Sequence, residues 1–256
     1  MFFLDDLFVI LKLMKRKEEN FMKTRAELKN EAKDVLRGRW KDSVLMCLVP
    51  TLVSIAIGLL IFFLLLLPTI TFVQNNPDFV NGTSSYEGSS GGGGGGFFGG
   101  VIGALFSAGI SWTFLDLLRG KKQEINPFSD AFRGFAGPVI LGVICISLLT
   151  LVFVTLWSLL LIIPGIIKGY SYSQAYFVYY DGYEETGLRP GFLDSITRSR
   201  KLMNGYKGQL FLLDLSFIGW HILAMLTLGI GYLWLTPYIT ATKAAFYENL
   251  PKTAAI

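Results

Sequence analysis

Four stretches of this chain, 43–73, 97–118, 138–180 and 209–248, are nearly free of charged residues. A bilayer core about 30 Å thick needs roughly 20 apolar helical residues. The first two stretches each hold one crossing. The last two are each about twice that length and hold two. The expected fold is therefore all-α and polytopic, with six transmembrane helices. Composition agrees: 16% of the residues are charged, against about a quarter in a soluble domain.

Charge sets the expected topology. Lysine and arginine accumulate on the cytoplasmic side of membrane proteins. Here they fall in Lys12–Lys41, Arg119–Arg133 and Arg189–Lys207, with Lys252 near the end; 74–100 has none, and only Lys168 and Lys243 lie inside expected spans. This order puts both termini inside and leaves every basic connection on that side. The net charge of +4 follows topology and forms no nucleic-acid face, so no nucleic-acid partner is expected.

The six spans group into three helical hairpins. Their endings align as Phe114-Leu115-Asp116, Tyr179-Tyr180-Asp181 and Phe246-Tyr247-Glu248. Gly99, Pro164 and Gly231 each stand 17 residues before an acid, and the acids are 65 and 67 residues apart. Such self-similarity marks repeated structural units. Each hairpin is preceded by a basic amphipathic segment ending in a glycine beside an aromatic residue, at Gly38, Gly134 and Gly205. The units run 22–118, 119–185 and 186–256 and form one membrane domain.

In the first amphipathic segment, Thr24 and Glu27 have capping-box spacing. Leu28, Ala32, Val35, Leu36 and Trp40 form an apolar stripe. The second gathers Phe128, Phe132 and Phe135. The third is expected to begin at Pro190, a favoured first-turn residue. It puts Phe192, Ile196, Ser199 and Met203 on one side. These helices either lie on anionic headgroups or pack on the bundle. Lys29, Lys33, Arg37, Trp40, Arg198, Arg200 and Lys201 are the candidate headgroup contacts, and the bilayer is the expected partner; a homo-oligomer stays open.

Segment 74–98 ends in polar and glycine-rich sequence, with Gly91–Gly96 consecutive. It reads as a flexible outer loop. No Gly-Lys-Ser or Gly-Lys-Thr follows, so it is not a phosphate-binding loop. Residues 1–21 do not resemble a signal peptide. Lys17-Glu18-Glu19 can be encoded by a purine-rich ribosome-binding run, so translation is expected to begin at Met22, with 1–21 an annotation artefact.

Ionisable groups inside spans are functional suspects. There are four: Lys168, Asp214, His221 and Lys243. Asp214 and Lys243 lie about 9 and 8 Å from the same membrane face at the helical rise, so an ion pair is expected. Lys168 stands near the outer turn and can snorkel outward. His221 is one heptad from Asp214. The group forms either a polar pathway or a structural pair that joins helices.

The glycine pairs Gly99–Gly103 and Gly165–Gly169 allow close helix contact. Asp181, Glu184 and Glu185 read as a solvated helix end. Cys47 and Cys145 read as small packing residues. One histidine, no nucleophile elbow and no carboxylate–histidine motif argue against an enzyme, a metal site or a cofactor.

Several strings carry a family resemblance. They are Leu161 to Lys168, Ser195 to Asn204, Leu213 to Trp220, Thr227 to Gly231 and Trp234 to Tyr238. They resemble the domain-of-unknown-function 975 family, bacterial integral membrane proteins mostly of Gram-positive origin. The likeness is specific over about 160–250 and weaker over 22–140. It implies a multi-pass protein of the bacterial cytoplasmic membrane without an established activity. It also places Lys168, Asp214 and Ile218-Gly219-Trp220 in the shared scaffold. The expected role is a non-enzymatic scaffold, regulator or envelope-associated factor. The alternative is a small transporter or channel for a lipid, peptide or ion, using polar residues of spans four to six.

Overall fold

A computed structural model describes residues 22–75 and 93–251. Residues 1–21, Lys252 and most of the expected outer loop lie outside this set. All regular structure among the described residues is helical. In chain order the helices are α1 (Arg25–Leu36), α2 (Trp40–Asn75), α3 (Gly93–Leu118), α4 (Pro127–Ala131), α5 (Ile140–Leu160), α6 (Ile162–Tyr172), α7 (Ala175–Thr186), α8 (Phe192–Leu202), α9 (Lys207–Leu215), α10 (Ile218–Leu226) and α11 (Tyr232–Glu248). A short 3-10 turn, Arg133–Phe135, follows α4.

Among the described residues, four segments are long and apolar enough to cross a membrane: Trp40–Asn75, Gly99–Leu118, Ile140–Leu160 and Lys207–Leu226. The segment expected as the fourth span is instead split into α6 and α7, of 11 and 12 residues. The sixth is the 17-residue α11. Helix α3 already begins at Gly93, inside the glycine run read as loop. Leu161 is extended (φ −160°, ψ 141°) and parts α5 from α6. Pro164 then occupies the first turn of α6, where a missing N–H costs nothing.

Local chemistry accounts for the other ends. Thr24 Oγ1 accepts from Glu27 N at 3.4 Å, and Thr24 N donates to a Glu27 carboxylate oxygen at 2.7 Å. This reciprocal cap starts α1 and holds the exposed Glu27 carboxyl below its ordinary pKa, chiefly through the Thr24 backbone bond. Gly38 and Gly205 close α1 and α8 with φ of +79° and +86°, a conformation that favours glycine. The third glycine of that set, Gly134, serves another need. A Cβ there would stand 2.0 Å from the Leu105 carbonyl oxygen, so the 3-10 turn can press onto α3 only through glycine. Helix α8 starts at Phe192, with Gly191 as N-cap, two residues after the expected Pro190.

Burial falls along the helices in one direction. Ser43, Met46 and Val49 of α2 are buried, whereas its large apolar residues from Leu52 to Val73 are predominantly exposed. In α3 the buried stretch is 105–117; in α5 it is Gly142, Val143 and Ile146, before an exposed run that includes Leu159 at 86%. The packed ends carry the basic connections. There α1 lays Leu28, Ala32 and Leu36 against α11, whose Ala241, Ala244 and Ala245 are fully buried. Small residues let the backbones approach.

Water would penalise the opposite end by about 1.5–3 kcal/mol for each large apolar side chain left exposed. A hydrocarbon solvent removes that penalty, and this is a membrane protein. The glycine pairs do not act as expected. Gly99, Gly103 and Gly169 face open space, and only Gly165 is pressed close, against Ser158.

Candidate functional site

Helices α3, α5, α6, α7, α9 and α11 line an open cavity of about 610 Å³. That is within the range of small-molecule sites, roughly 300–1,000 Å³. Its walls combine the apolar Val154, Ile166 and Ile239 with Ser107, Ser111, Ser158 and Thr240. Asp214 and Lys243 meet here: Lys243 Nζ lies 3.0 Å from Asp214 Oδ1. The Tyr170 hydroxyl donates to the other carboxylate oxygen at 3.2 Å.

The interruption between α6 and α7 supplies the remaining polar groups. Ser173 Oγ donates to the Tyr170 carbonyl at 2.9 Å. Such local capture competes with the helical ladder. Gln174 follows, 2% exposed, in the cavity wall. Its Nε2 donates to Ser173 Oγ at 2.9 Å, whereas its carbonyl oxygen is buried and accepts no hydrogen bond. An unsatisfied buried acceptor costs about 1–3 kcal/mol. The cavity therefore offers a carboxylate, an ammonium, several hydroxyls and one orphan acceptor between greasy walls.

The other intramembrane candidates lie elsewhere. His221 is half-buried with its ring 5.7 Å from Tyr232 and does not line the cavity. Phe217 and Ser216 break the chain between α9 and α10, so the one-heptad relation to Asp214 does not continue on one straight helix. Lys168 holds its Nζ 4.5 Å above the Trp157 ring. It shares a second pocket with Arg200 of α8 and does not simply reach outward.

Three candidate headgroup residues turn to protein. Lys29 Nζ donates to the Ser216 carbonyl at 3.2 Å and lies 4.1 Å above Phe217. Burial, then Arg25 and Lys33, lower its pKa. Lys33 stands 5.8 Å over Tyr238, and half-buried Trp40 tilts against the same ring at 6.5 Å. The cause is shared: α1 packs on α11, so its cations meet aromatic faces and a carbonyl freed by the α9–α10 break. Arg37 is exposed and 3.8 Å from Asp34. Arg198, Arg200 and Lys201 are exposed on α8.

A second polar centre lies at the packed end, on the acids aligned above. Tyr180 donates to Asp116 at 2.8 Å, and Tyr247 donates to Asp181 at 2.8 Å. Trp112, four residues before Asp116, stacks on Tyr180 at 5.0 Å and 16°. Phe177, four residues before Asp181, stacks on Tyr247 at 4.7 Å and 15°. The two joints have the same construction.

The third place differs, because Leu115 stands where the others have tyrosine. Arg119 fills in: it holds Asp181 through two bonds of 2.6 and 2.9 Å and Glu248 through one of 2.8 Å. Arg133 completes the first joint on Asp116 at 2.8 Å and Tyr180 at 2.9 Å. Burial alone would lower both guanidinium pKa values, but these partners outweigh it and raise them. Asp181 is thus a built contact, not the solvated helix end expected of it. The signal was present in the aligned aromatic–acid endings.

Among the described residues no cluster of histidine, cysteine and carboxylate groups could hold a metal ion. The model of the family described as "Protein of unknown function (DUF975)" matches residues 22–168 and 149–254. The chain belongs to that family. No curated protein and no solved structure matches it.

Proposed function

We propose that this chain is a non-enzymatic, ligand-binding protein of a bacterial cytoplasmic membrane, a small transporter for an amphipathic molecule held in the α3–α11 cavity. In this reading α6 with α7 forms the fourth crossing and α11 the sixth. The six crossings make three hairpins, with both termini and all basic connections inside. The observation that carries it is the Gln174 carbonyl, buried in the cavity wall without a donor. A ligand that brings an N–H or O–H would satisfy it. The Asp214–Lys243 pair would meet complementary charges, and the apolar walls would take the remainder. Discontinuous helices at a midplane site are a recurring transporter device.

Native mass spectrometry of the full-length protein tests the reading. A small-molecule adduct is expected on the unaltered chain and should be lost in Gln174→Leu, which removes the acceptor at similar volume. Adduct-free spectra for both, across membrane extracts offered as ligand source, would refute it. The packed, ion-paired end favours a second reading, a scaffold or regulator, which predicts no dependence on Gln174.

A further inference from the structure

The pocket that joins Lys168 to Arg200 has a volume of about 300 Å³ and lies between α5, α6 and α8. It is separate from the Asp214 cavity: the two share no lining residue. Helix α8 is fixed there by Ser199 Oγ, which donates to the Ser171 carbonyl at 2.9 Å. That bond brings a helix from a basic connection alongside the C-terminal end of α6, and it brings Arg200 to a lysine 32 positions earlier in the chain.

Neither cation has an acidic or hydrogen-bonding partner among the described residues. The Lys168 ammonium meets only the face of Trp157. Asp194, the carboxylate of α8, turns back toward Gly191, where an added Cβ would lie 2.7 Å from its oxygen. Arg200 is exposed and Lys168 half-buried, and two unpaired cations beside apolar walls create a local positive potential. The walls are Phe153 and Tyr172, with ring centroids 6.0 Å apart, and Leu193. Beyond Trp157 runs the exposed strip Leu159–Ile163, at 63–86% exposure.

We infer that Lys168 and Arg200 hold the phosphate of an anionic membrane phospholipid, whose acyl chains lie along Leu159–Ile163. Arginine supplies a planar fork to phosphate oxygens and lysine a point charge. A free phosphate ion has no use for the aromatic and aliphatic walls or the greasy strip. A zwitterionic lipid would bring a third cation to a site that already has two. This site requires only that the chain lies in a membrane and does not depend on the transporter reading.

The test uses the full-length protein in nanodiscs of phosphatidylcholine with or without phosphatidylglycerol. Lipids that survive transfer to detergent are counted by native mass spectrometry. One phosphatidylglycerol should persist on the unaltered chain and on Lys168→Arg. Its retention should fall about five- to tenfold in Lys168→Gln and in Arg200→Gln, as expected for one lost charge contact. Arg25→Gln, exposed on α1 and outside the pocket, should bind normally and elute as a single species. The inference fails if phosphatidylcholine persists equally. It fails if Arg25→Gln loses as much as Arg200→Gln. Displacement of the lipid by 10 mM inorganic phosphate, a chosen test concentration of about that order for a weak ion site, would also overturn it and assign the pocket to a free anion.

Discussion

At one end of this molecule, alanines pack against a short amphipathic helix and arginines bridge acids. At the other, leucines and isoleucines of the same helices stand apart. Ala245 and Leu159 illustrate the contrast, at 0% and 86% exposure. The difference follows from what each end must exclude. Where water reaches, burial of apolar surface drives association. In hydrocarbon that force vanishes between helices, and only close packing and polar contacts remain. The packed end is therefore held by interlocking groups. The apolar end, away from the basic connections, can stay open.

The hardest test of this contrast is Arg119→Met. It leaves Asp181 and Glu248 without their shared cation in a confined site, and breaking such a pair costs about 3–5 kcal/mol. Thermal unfolding in detergent, followed by tryptophan fluorescence, should show a large loss. A loss no greater than that of a surface variant would remove the distinction between the two ends.

Asp214 and Lys243, in the cavity wall, sharpen it further. A double-mutant cycle with Asp214→Asn and Lys243→Met should give a coupling of about 0.6 kcal/mol, and below about 1.7 kcal/mol, as for polar contacts between membrane helices. A coupling that matched the Arg119 loss would mean that the cavity wall relies on charge as much as the acid–arginine centre does.

The smallest effect concerns α1. The Glu27 carboxyl is depressed in the folded protein, so its contribution is complete above the ordinary value of 4.5 and is lost as pH falls through the lower folded value. Hydrogen exchange in residues 25–30 should quicken over that acidic range. The Arg119 and Arg133 guanidinium groups stay protonated throughout that range. Exchange that is independent of pH below 4.5, after correction for intrinsic rates, would deny the cap any role.

Some of this architecture could be read from residue order. Thr24 and Glu27 announced a helix start by spacing alone. Counting from the span ends put Asp214 and Lys243 at one depth, and the structure brings them to 3.0 Å. Other features left little trace. Ser173-Gln174 and Ser216-Phe217 interrupt helices without proline or glycine, through side-chain capture and tertiary contact. Lys29 looked like a surface cation, since nothing in its neighbourhood names Ser216, which lies 187 positions away. The glycine pairs misled because Gly99, Gly103 and Gly169 have no partner helix at contact distance. The aromatic–acid endings were visible, but their geometry was not. Only folding shows that each tyrosine serves the acid of the preceding unit.

Leu115 gives that ring of like parts a seam. Two of its joints are clasped by phenols under stacked rings, and at the last a guanidinium takes the phenol's place, from Arg119 to Glu248. The same guanidinium also grips Asp181, so one side chain latches the seam and braces the neighbouring clasp.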